Sequence, residues 1–146
     1  MTLIIRTFTK ADEAAVVVLW RAAGLLRPWN DPHRDIARKQ TMQPELFLVG
    51  ELGGEIIASA MAGYDGHRGS VYYLAVSPDH HREGHARAIM AEVERRLLAL
   101  GCPKLNLMVR HDNRPAIGFY ERIAYDEQAV VVLGKRLVVD EPASHH

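Results

Sequence analysis

Two small residues, Gly84 and Ala86, sit in the stretch His81-Arg82-Glu83-Gly84-His85-Ala86, between a strand-like run, Val71 to Val76, and a long amphipathic segment. Such a loop is a common way to hold a phosphate group. The first amides of a helix have no partner inside it, and the helix dipole adds partial positive charge at that end. Small side chains let a ligand approach the backbone. The candidate donors are the amides from Arg82 to Arg87, with the Arg82 or Arg87 guanidinium as a charged partner for phosphate. The ordinary reading of His80, His81 and His85 is a solvated loop, since no matching set of zinc ligands is evident elsewhere and no metal is expected.

A second segment, Asn113-Arg-Pro-Ala116-Ile-Gly-Phe-Tyr120, places Asn113 and Tyr120 two helical turns apart, so that both can face one side. A tyrosine phenol, with a pKa of about 10, holds its proton at neutral pH and can donate it. Phe119, Tyr120 and Ile123 would equally make a core face. Asp65 and His67, in Tyr64-Asp-Gly-His-Arg68, are possible proton acceptors, though Asp-Gly is also a turn dipeptide in its own right. Arg27, Trp29, Asn30 and Asp31 form a loop suited to a small polar ligand, while a Pro-flanked Asn-Asp is also ordinary loop chemistry.

Both segments resemble one family. Gly84 and Ala86 fit the Arg/Gln-x-x-Gly-x-Gly/Ala loop of the GNAT-family N-acetyltransferases, with His81 standing where Arg or Gln is usual and Arg82 where Gly is often found. The run from Asn113 to Tyr125 is similar to that family's later Asn-x-x-Ala-x-x-x-Tyr-x-x-x-Gly-Phe/Tyr signature, with Ala124 in place of the glycine. Leu25 to Pro32 and Gly63 to Gly69 closely resemble bacterial YpeA-type members, so the likeness spans Ile4 to Leu137.

The resemblance implies a GNAT fold of the mixed α/β class. That fold is a mostly antiparallel twisted sheet of about six to seven strands with about four helices, splayed at the cofactor site. It implies acetyl-CoA as co-substrate, with the pyrophosphate on His81, Arg82, Glu83, Gly84, His85, Ala86 and Arg87. Main-chain amides of Leu74, Ala75 and Val76 would face the acetyl and pantetheine groups, and Asn113 would cap its helix, meet the pantetheine arm, or both. Glu83 is an anion where the family often has a cation.

Tyr120 would lie beside the sulfur as general acid, Asp65 or His67 would serve as base, and Arg27, Trp29, Asn30 and Asp31 would frame the acceptor. The acceptor amine must lose a proton, because an alkylammonium with a pKa of about 10.4 is unreactive at neutral pH. The reading that follows is direct transfer from acetyl-CoA to an amine in a ternary complex. A non-catalytic acyl-CoA sensor is the rival, and a nucleotide site is disfavoured because no Lys-Ser/Thr follows Gly84.

The elements that must position these groups follow from periodicity. The chain has 146 residues, 48% of them hydrophobic and 25% charged, enough for one domain with an ordinary core. Eighteen basic residues balance eighteen acidic ones, so net charge offers no argument for nucleic acid or membrane partners. A single cysteine, Cys102, excludes an internal disulfide, and with no signal-peptide or membrane-helix pattern a cytoplasmic location is expected.

Strands are expected at Leu3–Phe8, Leu46–Leu52, Glu55–Tyr64 and Val71–Val76, then at Leu105, Leu107 and Val109, and last at Ala129–Leu133. Helices are expected after Thr9, over Ile36–Met42, over 83–100 and from Asn113 to Ile123. The domain is expected to span 1–139, with 140–146 a polar tail. Val130–Leu133 is a possible strand interface for a homodimer.

Overall fold

In the computed structural model, which describes residues 1–140, five strands form one sheet in the order β1-β2-β3-β4-β5. They are β1 (Ile4–Thr7), β2 (Phe47–Leu52), β3 (Glu55–Tyr64), β4 (Gly69–Val76) and β5 (Leu105–Leu107). The helices are α1 (Glu13–Ala22), α2 (Pro32–Lys39), α3 (His85–Ala99) and α4 (Arg114–Arg122). The first four strands pair antiparallel, and β4 pairs parallel with β5. Parallel neighbours need a crossover connection, and α3 provides it.

Period-two alternation divides the core between the two faces of the sheet. On one face Leu48, Ala58, Ala60 and Ala62 meet Ile89, Met90, Val93 and Leu97 of α3. Three alanines in a row along β3 let that helix lie close to the sheet. Gly69, at the start of β4, has the same role in sharper form. A Cβ there would stand 2.9 Å from Cys102 Sγ and 3.0 Å from Leu97 Cδ1. Cys102 is buried in this contact, which gives it a packing role.

On the other face Phe47, Val49 and Met61 meet Val16, Leu19 and Trp20 of α1 and Ile36 of α2. The fully buried Trp20 stacks on Tyr73 with ring centroids 3.8 Å apart. Its indole N–H donates to Ser59 Oγ at 2.9 Å, and the Ser59 hydroxyl donates to the Tyr73 carbonyl at 2.8 Å. Burial leaves neither polar group unpaired. This chain of contacts fixes a β-bulge in β4. Ser59 faces Ala75 but Met61 faces Tyr72, so β4 carries one extra residue, and Tyr73 takes a left-handed φ of 54°.

The observed fold departs from expectation in four places. The sheet has five strands rather than six or seven, because Ala129–Leu133 forms none. Val130, Val131, Val132 and Leu133 are 65–90% exposed and join no ladder. Their β-propensity is real, but a strand also needs a neighbour to pair with. β5 likewise stops at Leu107, short of Val109. Helix α2 starts at Pro32, four residues ahead of the expected Ile36. Proline at the first position is pre-set for a helix, and Asp31 caps it, its Oδ1 accepting from the His33 amide at 2.9 Å and the Arg34 amide at 3.3 Å. Finally, Asp140 is no tail residue. It is 3% exposed and pairs with Arg38 at 2.5 Å, and 141–146 lie outside the described residues.

Candidate active site

The parallel pairing of β4 with β5 ends at Val71 opposite Leu107. Beyond it β4 continues to Val76, while the chain after β5 leaves the sheet toward α4. The bulge at Tyr73 bends β4 within this unpaired stretch. The two strands therefore open into a cleft of about 700 Å³. Tyr72, Tyr73 and Leu74 form one wall, and Met108 to Arg110 with Asn113, Ala116 and Tyr120 form the other. Arg27, Asn30 and the α2 residues Asp35, Arg38 and Lys39 close the far end.

Asn113, Ala116 and Tyr120 share a face of α4 because they recur at near-helical spacing. Asn113 is the N-cap of that helix, its Oδ1 accepting from the Ala116 amide at 3.3 Å. Tyr120 packs against the core on the α3 side while also reaching the cleft. Burial pushes its phenol up to about 12, so it stays protonated across the neutral range.

At the other end of β4 the chain turns through a short 3₁₀ segment, Pro78–His80, and then through Arg82 and Gly84, both left-handed at φ 65° and 84°. Helix α3 begins at His85, and the first internal helical bond is that of the Ala88 amide to the Gly84 carbonyl at 3.0 Å. The amides of His85, Ala86 and Arg87 thus remain free for a ligand. His81, at the position where the pattern has Arg or Gln, donates from Nε2 to the Val76 carbonyl at 3.1 Å and ties the loop to the end of β4. Glu83 turns to its neighbours. It accepts from His85 and His80, and these bonds hold its carboxyl below the usual range. A smaller hollow of about 300 Å³ lies between α3 and α4, with Arg87 and Arg122 among its lining residues.

The free amides, the two left-handed turns and the open edge of β4 fit an acetyl-CoA laid along this groove. Of the expected acceptor residues, Arg27 and Asn30 line the cleft. Trp29 is half exposed outside it, and the carboxylate of Asp31 is engaged in capping α2. Asp65 and His67 are not brought to the cleft. They sit at the β3–β4 hairpin, where Asp65 Oδ1 accepts from the His67 and Arg68 amides at 2.8 Å. This is the closed end of β4, beside the Gly69–Leu105 pairing.

One carboxylate does line the cleft, that of Asp35. It accepts from the Tyr73 hydroxyl at 2.6 Å and from Arg38 at 3.2 Å. Burial first, and Asp35 second, push the Tyr73 phenol well above its ordinary value. Lys39, beside it, is shifted down by burial. Sequence reading misses Asp35 because the expected helix started one residue after it. The Asp31-Pro32 pair, read as a helix start, was the signal that would have put Asp35 on α2.

A sheet opened between a bulged fourth strand and a parallel fifth, with free helix amides at one end of the opening, is the architecture of an acyltransferase. The chain belongs to the acetyltransferase (GNAT) family, whose model matches residues 14–125. It is 54% identical over 137 residues to the acetyltransferase YE1169 of Yersinia enterocolitica, covering 94% of this chain and 97% of that one. It is 53% identical over 136 residues to the acetyltransferase ECA0875 of Pectobacterium atrosepticum, covering 93% and 96%. Among solved structures, the ribosomal-protein-S18-alanine N-acetyltransferase of Escherichia coli matches at a TM-score of 0.74 and 25% identity, over 87% of this chain and 79% of that one. AAC(6')-Iy, solved with the bisubstrate analogue CoA-S-monomethyl-acetylneamine, shares the fold at a TM-score of 0.75 and 17% identity, over 93% and 99%. Among the described residues no helix is long and apolar enough to cross a membrane.

Proposed function

We propose that this acetyltransferase moves the acetyl group of acetyl-CoA directly to an amine acceptor, both bound at once in the β4–β5 cleft. The observation that carries this reading is the arrangement of that single cleft, with Tyr120 and the open β4 edge toward one end and Asp35 toward the other. The fold shared with AAC(6')-Iy, solved with an analogue that joins both substrates, supports a site that holds both together.

In this reading the pyrophosphate rests on the His85, Ala86 and Arg87 amides, and the thioester carbonyl takes a donor from the backbone of Leu74 to Val76. Asp35 holds the acceptor's ammonium and receives its proton, in place of Asp65 or His67. The amine nitrogen then bonds to the carbonyl carbon, the C–S bond breaks, Tyr120 gives its proton to sulfur, and the proton that the nitrogen must still lose returns through solvent to the phenolate.

The first test is calorimetric titration with acetyl-CoA, followed by turnover against a panel of amines that includes peptides and aminoglycosides. Binding with turnover is the expected result, and binding without turnover on any amine would favour a sensor. We also infer a homodimer, from the four consecutive exposed apolar residues Val130–Leu133, more than scattered surface residues explain. Light scattering across concentration checks it, and Val131→Lys should shift the balance to monomer.

A further inference from the structure

His80, Glu83 and His85 bring three metal-ligating atoms to one point beside the cofactor loop. His80 Nδ1 lies 3.1 Å and His85 Nε2 2.9 Å from Glu83 Oε1, and all three atoms are within 4.8 Å of one another. The three residues come from different local structures: the end of the 3₁₀ turn, the left-handed turn, and the first residue of α3. The left-handed φ at Arg82 and Gly84 is what folds the chain back far enough for them to meet. The imidazoles are sheltered, with side chains 26% and 12% exposed, while Glu83 faces solvent at 48% and leaves an entry path.

We propose that His80 Nδ1, Glu83 Oε1 and His85 Nε2 form a binding site for a divalent transition-metal ion of the zinc type. A tetrahedral zinc ion with bonds of roughly 2.0–2.2 Å holds its ligands about 3.3 Å apart. The two carboxylate–imidazole pairs need to open by only a few tenths of an ångström to reach that spacing. The two imidazoles then close on the ion by side-chain rotation. Two imidazoles and one carboxylate favour zinc, cobalt, nickel or copper over magnesium or calcium, which prefer all-oxygen shells. Three protein ligands leave a fourth position for water or another small ligand. Bound metal would stitch the turn after β4 to the start of α3, fixing the backbone that presents the free amides. His81 stays outside this set, since its ring is engaged with the Val76 carbonyl.

The test uses the full chain and metal alone, so its result does not depend on acetyl-CoA. Zinc is titrated calorimetrically, and cobalt is followed by the visible bands of a four-coordinate ion. One equivalent should bind. His80→Asn and His85→Asn should each weaken binding more than about tenfold, the lower bound of what even outer-shell losses cost. Glu83→Gln, at an exposed position, keeps the test valid if a histidine variant fails to fold. His81→Asn should bind as the parent does. No binding at millimolar metal, or binding that survives all three ligand substitutions, would overturn the site. So would binding lost only when His145 and His146 are replaced by alanine.

Discussion

The two ends of the cleft are made of different materials. At the proposed cofactor end the groups that would meet a ligand are main-chain amides, those of His85 to Arg87 and of the open β4 edge, held by helix α3 and by the bulge. At the proposed acceptor end they are side chains on α2, those of Asp35 and Arg38, joined to each other and to Asp140 by ion pairs, with Lys39 beside them. A backbone donor survives substitution of the side chain it belongs to, so the first end can keep its chemistry while its sequence drifts. A carboxylate does not survive substitution. The second end is where acceptor choice can change without altering the reaction.

Substitutions can break or sharpen this contrast. The largest effect is expected at Tyr120, toward the proposed cofactor end. Tyr120→Phe should lower kcat by about 10²–10⁴-fold, the range for loss of a positioned acid, while the dissociation constant for acetyl-CoA moves less than about threefold. Unchanged turnover would remove Tyr120 from the acid role.

Asp35→Asn should lower kcat/KM by about 10²-fold at neutral pH and leave acetyl-CoA binding intact. The deficit should shrink as pH rises toward the amine's own pKa of about 10.4, because the acceptor then deprotonates without help. A deficit constant with pH would mean that Asp35 positions the amine without taking its proton.

Ser59→Ala probes the bulge that separates the ends. It leaves the Trp20 indole and the Tyr73 carbonyl without a shared partner and should cost about 1–3 kcal/mol in urea unfolding. Turnover should fall beyond what stability explains, as the β4 amides lose their placement.

Acid should loosen the Arg38–Asp140 pair. Arg38 holds the Asp140 carboxyl down at about 2. A group depressed in the folded state contributes stability above its unfolded pKa of about 3.9, and that contribution is lost as pH falls through 2. The urea midpoints of the parent and of Asp140→Asn should therefore differ at pH 6 and converge by about pH 2. A gap that persists unchanged into acid would detach stability from this ion pair.

The smallest expected effect is a gain. Ala124 sits at φ 74°, where the related signature has glycine, and Ala124→Gly should stabilise by about 1 kcal/mol.

Ala124 also shows what a sequence discloses. It and Arg82 stand where the family pattern has glycine, and both backbones are left-handed regardless. The loop and the α4 signature were readable because turn chemistry and helix caps are local. Helix α2 was placed late because Asp31-Pro32 has two readings, loop or helix start, and Asp35 was lost with it. Tyr73 could not be read at all. A tyrosine in a strand-like run gives no sign of a left-handed bulge, which Trp20 and Ser59 impose from distant parts of the chain. The valine run at 130–132 misleads for the opposite reason, since its propensity is strong and its neighbour is missing.

After Tyr125 the chain crosses to α2 with no regular structure, and near its far end Arg136 bonds to Asn30 and Asp140 pairs with Arg38. This makes the segment a strap, fastened at the acceptor end and threaded through none of the core. Local release there needs no strand to separate, so in the monomer a protease should meet this stretch before any strand of the sheet. Cleavage would leave the α3 amides where they are and untie only the residues that hold α2. One cut in this strap would therefore loosen the proposed substrate end and spare the proposed cofactor end.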